Sequence, residues 1–294
     1  MSRDWSRHSP YSDPGSFAPL LDALPGGVRE LSAVVRNVLV HYRAAGIVFT
    51  GERLAEIDNR WVDRILGADQ GRFPVPLAVP RPVEQRVVGC CRDFTLLTVA
   101  ALRQRGVAAR SRVGFASYLV PGFHCDHVVV EYRDGDRWVW LDAQLDPALD
   151  WGFDTADIPW AAAAPGALFA SAAQVWSAYR GGAVDVGRYG VDPSLPQLAG
   201  GWLVYDYVLQ ELAHRQGDEL LLWDGWGAMA QDLAGADLAL ADDVAAMLLA
   251  ADAGDESAER ELSAWYAADP RLRPSGRVRC LSPRGTADWV ELRG

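Results

Sequence analysis

Apolar residues before residue 70 recur at helical spacing in two places. Between residues 28 and 42 they fall three or four apart, which predicts a helix with one buried face. His41 lies just off this face and is interpreted as a surface or boundary residue. A second helix is predicted from about Glu52 to Leu66. Four prolines within residues 71–85 exclude a helix there, so an extended segment is expected to lead to Gly89.

A third helix is predicted directly after Gly89. Its apolar positions keep helical spacing from Phe94 to Leu102, and Gly106 is placed to end it. Its first residue is expected near Cys90 or Cys91. A thiol at that point faces unpaired backbone N–H groups and the positive end of the helix dipole, which favour thiolate over thiol. The helical period does not choose between the two cysteines.

A β-hairpin is predicted next, because strand-forming runs flank Asp134-Gly135, a dipeptide favoured in two-residue type I′ turns. If these two residues form the loop, His127 stands directly opposite Asp142 on one face of the ladder. The register therefore predicts a hydrogen bond between this imidazole and this carboxylate. His124 has the opposite parity and is expected on the other face of the strand.

The remaining pattern predicts an α+β fold with helices on both sides of the central segment. Residues 1–19 are rich in Ser, Pro and Asp and are expected to form a mobile or loosely docked arm. Residues 20–165 are expected to form the core, and residues 166–294 a mainly helical extension with a strand at its end. The acidic stretch 231–259 is interpreted as a solvated helical face. The predicted C-terminal elements are helices at Ser171–Arg180, Trp202–Arg215, Leu238–Ala251 and Ser257–Ala267 and a strand at Thr286–Leu292.

Composition excludes several classes of function. The net charge of −11 argues against nucleic-acid binding, which needs a basic face. All 28 basic residues are arginine, which excludes a P-loop lysine and a pyridoxal Schiff base. The four cysteines do not form a disulfide framework. Without a signal-peptide pattern at the N-terminus or an apolar run of ~20 residues, a cytoplasmic protein with no membrane contact is expected.

Four stretches of the central segment resemble the core of the bacterial transglutaminase-like superfamily. They are Gly89–Phe94, Leu102–Arg110, His127–Tyr132 and Trp138–Asp142. This resemblance implies that Cys91 is the nucleophile, His127 the base and Asp142 the acid that orients it. It also implies a papain-like fold, in which the nucleophile begins a helix packed on an antiparallel sheet. Cys90 departs from the family pattern, and the sequence assigns it no role.

The chemistry expected from these residues is acyl transfer through a Cys91 thioester without a cofactor. The donor is expected to be small or carrier-bound, the acceptor an amine or water, and the oligomeric state is left open. The alternatives are a cysteine protease and a catalytically idle scaffold that serves as a binding module. A zinc site at residues 124–127 is disfavoured, since a strand sends His124 and His127 to opposite faces.

Substrate contacts are less well defined by the sequence than the three central residues. Trp138 and Trp140 share the predicted face of His127 and are candidates for a wall of the acyl pocket, with Trp151 nearby. His124 and Asp126 precede the base and could touch substrate. For all five residues the competing interpretation is structural, as core aromatics or as a solvated loop.

Overall fold

A helix that begins at Cys91 packs on an antiparallel sheet in the computed structural model, which describes residues 3–160, 167–230 and 232–293. This agrees with the α+β class. The elements up to this helix are α1 (Ala18–Asp22), α2 (Val28–Val38), β1 (Leu39–His41), α3 (Gly51–Ala55), α4 (Val62–Arg72), β2 (Val87–Gly89) and α5 (Cys91–Arg103). The elements after it are β3 (Ala109–Val120), β4 (Phe123–Asp134), β5 (Arg137–Leu141), β6 (Phe169–Ser171), α6 (Ala172–Arg180), β7 (Tyr189–Gly190), α7 (Gly201–Gln216), β8 (Asp224–Gly225), α8 (Leu238–Asp252), α9 (Glu256–Ala268), β9 (Arg277–Ser282) and β10 (Thr286–Glu291).

Helix α5 is buried along its whole length. It begins at Cys91 because the Asp93 carboxylate accepts a hydrogen bond from the Cys90 N–H at 2.8 Å, which closes the first turn. The chain leaves the helix through Gly106, whose φ of +72° is a left-handed conformation that favours glycine. Thr95 ties the helix to the sheet, because its hydroxyl donates to the Val128 carbonyl of β4 at 2.7 Å.

The main sheet has the order β5-β4-β3-β6, with antiparallel neighbours, and β7 adds to β4 in parallel. The β4–β5 hairpin differs from the predicted register by two residues. Asp134 pairs with Arg137, so Gly135 and Asp136 form the loop. The observed loop begins at Gly135, so only this glycine needs positive φ, as in a type II′ turn. In the structure Gly135 has φ +58°, and no described non-glycine residue has positive φ.

The two predicted N-terminal helices both differ from their expected bounds. Helix α2 ends at Val38, and the chain continues as β1, which pairs in parallel with β2. The predicted helix from Glu52 to Leu66 is split into α3 and α4, and α4 continues to Arg72, into the first residues of the segment expected to be extended. Within the described residues, no helix has both the length and the apolar character needed to cross a membrane.

The N-terminal residues are docked on the core, which differs from the expected mobile arm at 1–19. The Trp5 indole N–H donates to the Arg215 carbonyl at 3.0 Å, and the Ala109 N–H donates to the Trp5 carbonyl at 3.1 Å. Tyr11 is buried, and its carbonyl accepts from the Val62 N–H at 2.8 Å. These aromatic anchors, set among Ser, Pro and Asp, hold the segment in place. Residues 1 and 2 lie outside the described residues.

The C-terminal part shares the main sheet with the predicted core. Strands β6 and β7 both follow residue 165, yet they pair with β3 and β4. The predicted boundary between residues 165 and 166 lies outside the described residues. A second sheet, β10-β9-β8, makes this part less helical than expected, and β10 lies where the last strand was predicted.

A buried cluster of charges joins the C-terminal helices to the sheet. Arg112 on β3 donates to Asp252 of α8 at 2.7 Å and lies 2.9 Å from Glu211 of α7. Arg215 donates to Asp252 at 2.7 Å and also to Glu259. Asp252 and Glu259 are therefore exceptions to the solvated acidic face expected for residues 231–259.

Replacing Arg112 by alanine is expected to lower the free energy of unfolding by about 3–5 kcal/mol, because it leaves buried carboxylates without their cation. Equilibrium denaturant unfolding measures this change. The matched control is Arg137→Ala, which removes an arginine from an exposed ion pair with Asp157 and should leave the unfolding midpoint nearly unchanged. A loss below about 1 kcal/mol for Arg112→Ala would contradict the structural importance of the cluster.

Candidate active site

The structure brings Cys91, His127 and Asp142 together although they come from three different elements. Cys91 is the first residue of α5, His127 lies in β4, and Asp142 directly follows β5. The His127 Nε2 lies 2.7 Å from the Asp142 carboxylate, and His127 and Cys91 are close enough to shift each other's pKa. All three residues are buried, with 6%, 1% and 2% of their surfaces exposed. The imidazole therefore bridges the thiol and the carboxylate.

The contact between His127 and Asp142 is diagonal across the ladder. Continuing the observed register of β4 and β5 places Asp142 opposite Val129, two residues from His127. Residues two apart in a strand project on the same face, so the diagonal partner is still within reach. The predicted pairing partner was thus wrong in register, while the predicted hydrogen bond is present.

Tyr118 completes the surroundings of Asp142 and was not identified from the sequence. Its hydroxyl donates to Asp142 Oδ2 at 2.7 Å, and its ring stands edge-on to the His127 ring. The other carboxylate oxygen accepts from the Gln144 N–H at 3.0 Å. Tyr118 lies between Ala116 and Val120, where the register of β3 against β4 shifts. Simple strand alternation could therefore not have identified it.

The electrostatics favour a thiolate at Cys91. A hydrogen bond from the Cys90 thiol, together with His127, holds the pKa of Cys91 well below its usual range although burial acts in the opposite direction. The same hydrogen bond and burial raise the pKa of Cys90 well above its usual range. Cys90 is therefore held in the protonated form beside Cys91, which the sequence did not reveal.

The pKa shifts of His127 and Asp142 also favour a thiolate at Cys91. Burial favours a neutral imidazole, but the Asp142 carboxylate and Cys91 together raise the pKa of His127 well above its usual value. Burial alone would raise the pKa of Asp142, but His127 and Tyr118 keep this pKa below the usual range. These shifts favour a thiolate–imidazolium pair next to the Asp142 carboxylate.

Replacing Cys90 by alanine is expected to raise the pKa of Cys91, because the thiolate loses a hydrogen-bond donor. The pH dependence of Cys91 alkylation by iodoacetamide measures this shift as a higher midpoint. Cys90→Ser is the matched control, since its hydroxyl can still donate, and it should move the midpoint less. An unchanged midpoint in Cys90→Ala would show that the thiol does not stabilise the thiolate.

A cavity of about 1470 Å³ opens beside the thiol. Its wall includes Cys90, Cys91 and His127, together with residues of α7 and of the loop after β5. Two of the residues predicted to contact substrate, Asp126 and Trp151, line it. Burial and the nearby Cys91 raise the pKa of Asp126 to about 7, even though the Tyr207 hydroxyl donates to it at 2.7 Å.

The other three predicted substrate contacts are not among the residues that line this cavity. Trp138 packs edge-to-face on Trp5 of the docked N-terminal segment. Trp140 is buried, and its indole N–H donates to Glu131 at 2.8 Å. His124 stacks on Tyr189 of β7. The two tryptophans are therefore structural, because their stretch of β5 lies beside the sheet core and the N-terminal segment.

His41, interpreted from the sequence as a boundary residue, lines the cavity with Cys91 and His127. It was missed because β1 was taken as the end of a helix. As for metals, no group of three or more His, Cys, Asp or Glu side chains in the described part of the chain is arranged to hold an ion.

Comparison with known proteins shows what the segment that holds this site is similar to. Residues 53–143 match the model of the transglutaminase-like superfamily, and this range contains Cys91, His127 and Asp142. No curated protein matches the chain. Among solved structures, a "Putative Cysteine Protease" from Cytophaga hutchinsonii matches with 19% identity and a TM-score of 0.31. That match covers 48% of this chain and 40% of the other. The segment from residue 53 to residue 143 is thus similar to the transglutaminase-like superfamily.

Proposed function

We propose that this protein is a cysteine-dependent acyltransferase or amidase that works through a thioester on Cys91. The superfamily match supports a cysteine-dependent enzyme in general. The observation that carries the finer proposal is the chain of contacts from Cys91 through His127 to Asp142, with the pKa of the thiol lowered and that of the imidazole raised. Such a pair supplies a nucleophile and a proton donor at the same time.

In the first half-reaction the Cys91 thiolate attacks the carbonyl carbon of the donor. A carbon–sulfur bond forms, and the carbonyl electrons move to oxygen. When this intermediate collapses, the bond to the leaving group breaks, and the His127 imidazolium gives its proton to an amine or thiol that leaves. The products are the Cys91 thioester and a neutral imidazole, which Asp142 holds through Nε2.

In the second half-reaction the neutral His127 takes a proton from the acceptor, which attacks the thioester. The carbon–sulfur bond then breaks, and the thiolate–imidazolium pair is restored. Water as acceptor gives a carboxylic acid, and an amine gives an amide. The cavity is larger than the roughly 300–1000 Å³ of common small-molecule sites, which supports simultaneous binding of a donor and an acceptor.

Intact-protein mass spectrometry with short acyl thioesters of N-acetylcysteamine tests this proposal. The expected result is one adduct with the mass of the acyl group, mapped by proteolysis to Cys91. Adding methylamine should release the acyl group as an amide if the enzyme transfers to amines, and as the free acid if it hydrolyses. Equal alkylation rates of Cys91 and the buried Cys280 by iodoacetamide would instead favour a non-catalytic scaffold.

A further inference from the structure

Strand β1 brings His41 to the same cavity as the nucleophile. The strand runs parallel to β2, with His41 paired to Gly89, two residues before Cys91. The pairing is extended by the Tyr42 N–H, which donates to the Gly89 carbonyl at 2.9 Å. His41 and Cys91 both line the cavity. The segment that leads into α5 therefore fixes the position of His41 relative to the thiol.

The hydrogen bonds of His41 define which ring nitrogen carries the proton. Its Nδ1 lies 3.1 Å from the Arg43 N–H and 3.2 Å from the Ala44 N–H, and both can only donate. A nitrogen that accepts a hydrogen bond has no proton, so the neutral ring carries its proton on Nε2. Burial lowers the pKa of His41 to about 4, so the ring is neutral at neutral pH. His41 thus keeps an Nε2–H available as a donor.

Acyl transfer creates a need for such a donor. When the thiolate attacks, the carbonyl oxygen becomes negatively charged and needs preorganised N–H or O–H groups. One donor is the Cys91 N–H, because the first residue of a helix has no carbonyl partner within it. The neighbouring Cys90 N–H is not available, since it donates to Asp93.

Several other donors on the cavity wall are already engaged. The Trp223 indole N–H donates to Asp58 at 3.0 Å, and the Tyr207 hydroxyl donates to Asp126. The Gln210 amide donates to two backbone carbonyls. His41 differs from them, because its hydrogen bonds to the backbone involve Nδ1 and leave Nε2–H for a ligand.

We propose that the Nε2–H of His41 and the backbone N–H of Cys91 form the oxyanion hole of this enzyme. The inference rests on the proposed acyl transfer and assigns a further catalytic residue to it. His41 acts as a neutral electrophile and exchanges no proton with the substrate. Its role is thus distinct from that of His127, which moves protons.

Two reactions of the Cys91 thiol distinguish stabilisation of the oxyanion from a change in the reactivity of the thiolate itself. Iodoacetamide alkylates Cys91 by displacement of iodide at a saturated carbon, and no oxyanion forms. With 4-nitrophenyl acetate, the thiolate attacks the ester carbonyl, an oxyanion forms, and 4-nitrophenolate leaves as the thioester forms. Loss of an oxyanion donor therefore slows only the second reaction.

In His41→Ala the acylation rate by 4-nitrophenyl acetate is expected to fall by about 10²–10³-fold, the usual effect of removing one oxyanion donor. The alkylation rate should change by less than about threefold, since the His127 partner remains. His41→Gln, whose amide can donate, should recover part of the acylation rate and replaces His41→Ala if that variant does not fold. His124→Ala is the matched control, because His124 stacks on Tyr189 and is not among the cavity-lining residues.

Two outcomes would overturn the inference alone: unchanged acylation in the His41 variants, or an equal loss of acylation and alkylation. The second would show that His41 acts on the thiol and not on the oxyanion. A wild-type protein that is alkylated at Cys91 but never acylated would overturn the proposed function, and the inference with it. The experiment therefore distinguishes a wrong assignment of the oxyanion hole from a wrong assignment of acyl transfer.

Discussion

Replacement of Cys91 by alanine is expected to abolish acyl-enzyme formation and to reduce turnover by more than about 10⁴-fold. No other described thiol has the same combination of position and charge. Cys90 lies next to it, but its hydrogen bond to Cys91 and its burial raise its pKa and keep it protonated. The measurement is the burst of 4-nitrophenolate from 4-nitrophenyl acetate, together with intact mass.

The control for this prediction is Cys280→Ala. Cys280 is buried beside Asp58, and burial raises its pKa to about 11, so its removal should leave the burst unchanged. A burst retained in Cys91→Ala, with the adduct mapped to Cys90, would show that the nucleophile has been assigned to the wrong cysteine. This test distinguishes two neighbouring thiols, Cys90 and Cys91, that the sequence alone could not separate.

Replacement of His127 by alanine is the change with the second-largest expected effect, a loss of about 10²–10⁴-fold in acylation. The variant loses the proton donor for the leaving group and also the cation that stabilises the thiolate. The pKa of Cys91 should therefore rise, and its alkylation rate at pH 6 should fall. Stopped-flow acylation and the pH dependence of alkylation measure the two consequences separately.

His124→Ala is a suitable control here too, because it removes a histidine only three residues away in the same strand. Its ring stacks on Tyr189, and no hydrogen bond joins it to Cys91, His127 or Asp142 in the described part of the chain. If an N-acetylcysteamine thioester, whose thiol needs a proton on leaving, acylates His127→Ala as fast as His124→Ala, the general-acid role of His127 is wrong.

The sequence predicted the face of His127 better than its register. A shift of two residues keeps every side chain of a strand on its face, so the hydrogen bond to Asp142 forms although the turn was placed one residue too early. The error came from the turn type: with glycine as the first loop residue, a type II′ turn fits, which needs positive φ at that position alone. Turn chemistry could have decided this, but Asp-Gly favoured type I′.

The local sequence pattern could not decide whether Cys90 or Cys91 is the nucleophile. Both positions suit a helix start, and the resemblance to the superfamily selected Cys91. The structure puts Cys91 in the first turn against His127, while Cys90 precedes the helix and its N–H donates to Asp93. These are contacts between elements distant in sequence, and helical periodicity has no access to them.

His41 and Trp5 show how long-range pairing overrides local signals. The run Leu39–His41 continues a helical period, but it pairs as a strand with Val87–Gly89, about fifty residues later. Trp5 stands in a polar segment that resembles a mobile arm, yet the Arg110 guanidinium stacks over its indole at 4.3 Å. In both cases the deciding partner lies in a distant element.

The most direct test of the central claim is the pH dependence of Cys91 alkylation by iodoacetamide, measured by peptide mass spectrometry between pH 4 and pH 9. A thiolate stabilised by Cys90 and His127 predicts a fast rate that persists well below pH 7 and is lost only in acid, as Cys91 becomes protonated. The opposite result is a midpoint near the ordinary thiol value of about 8.5 in the wild-type protein and the same midpoint in His127→Ala. It would contradict the ion pair and the mechanism built on it.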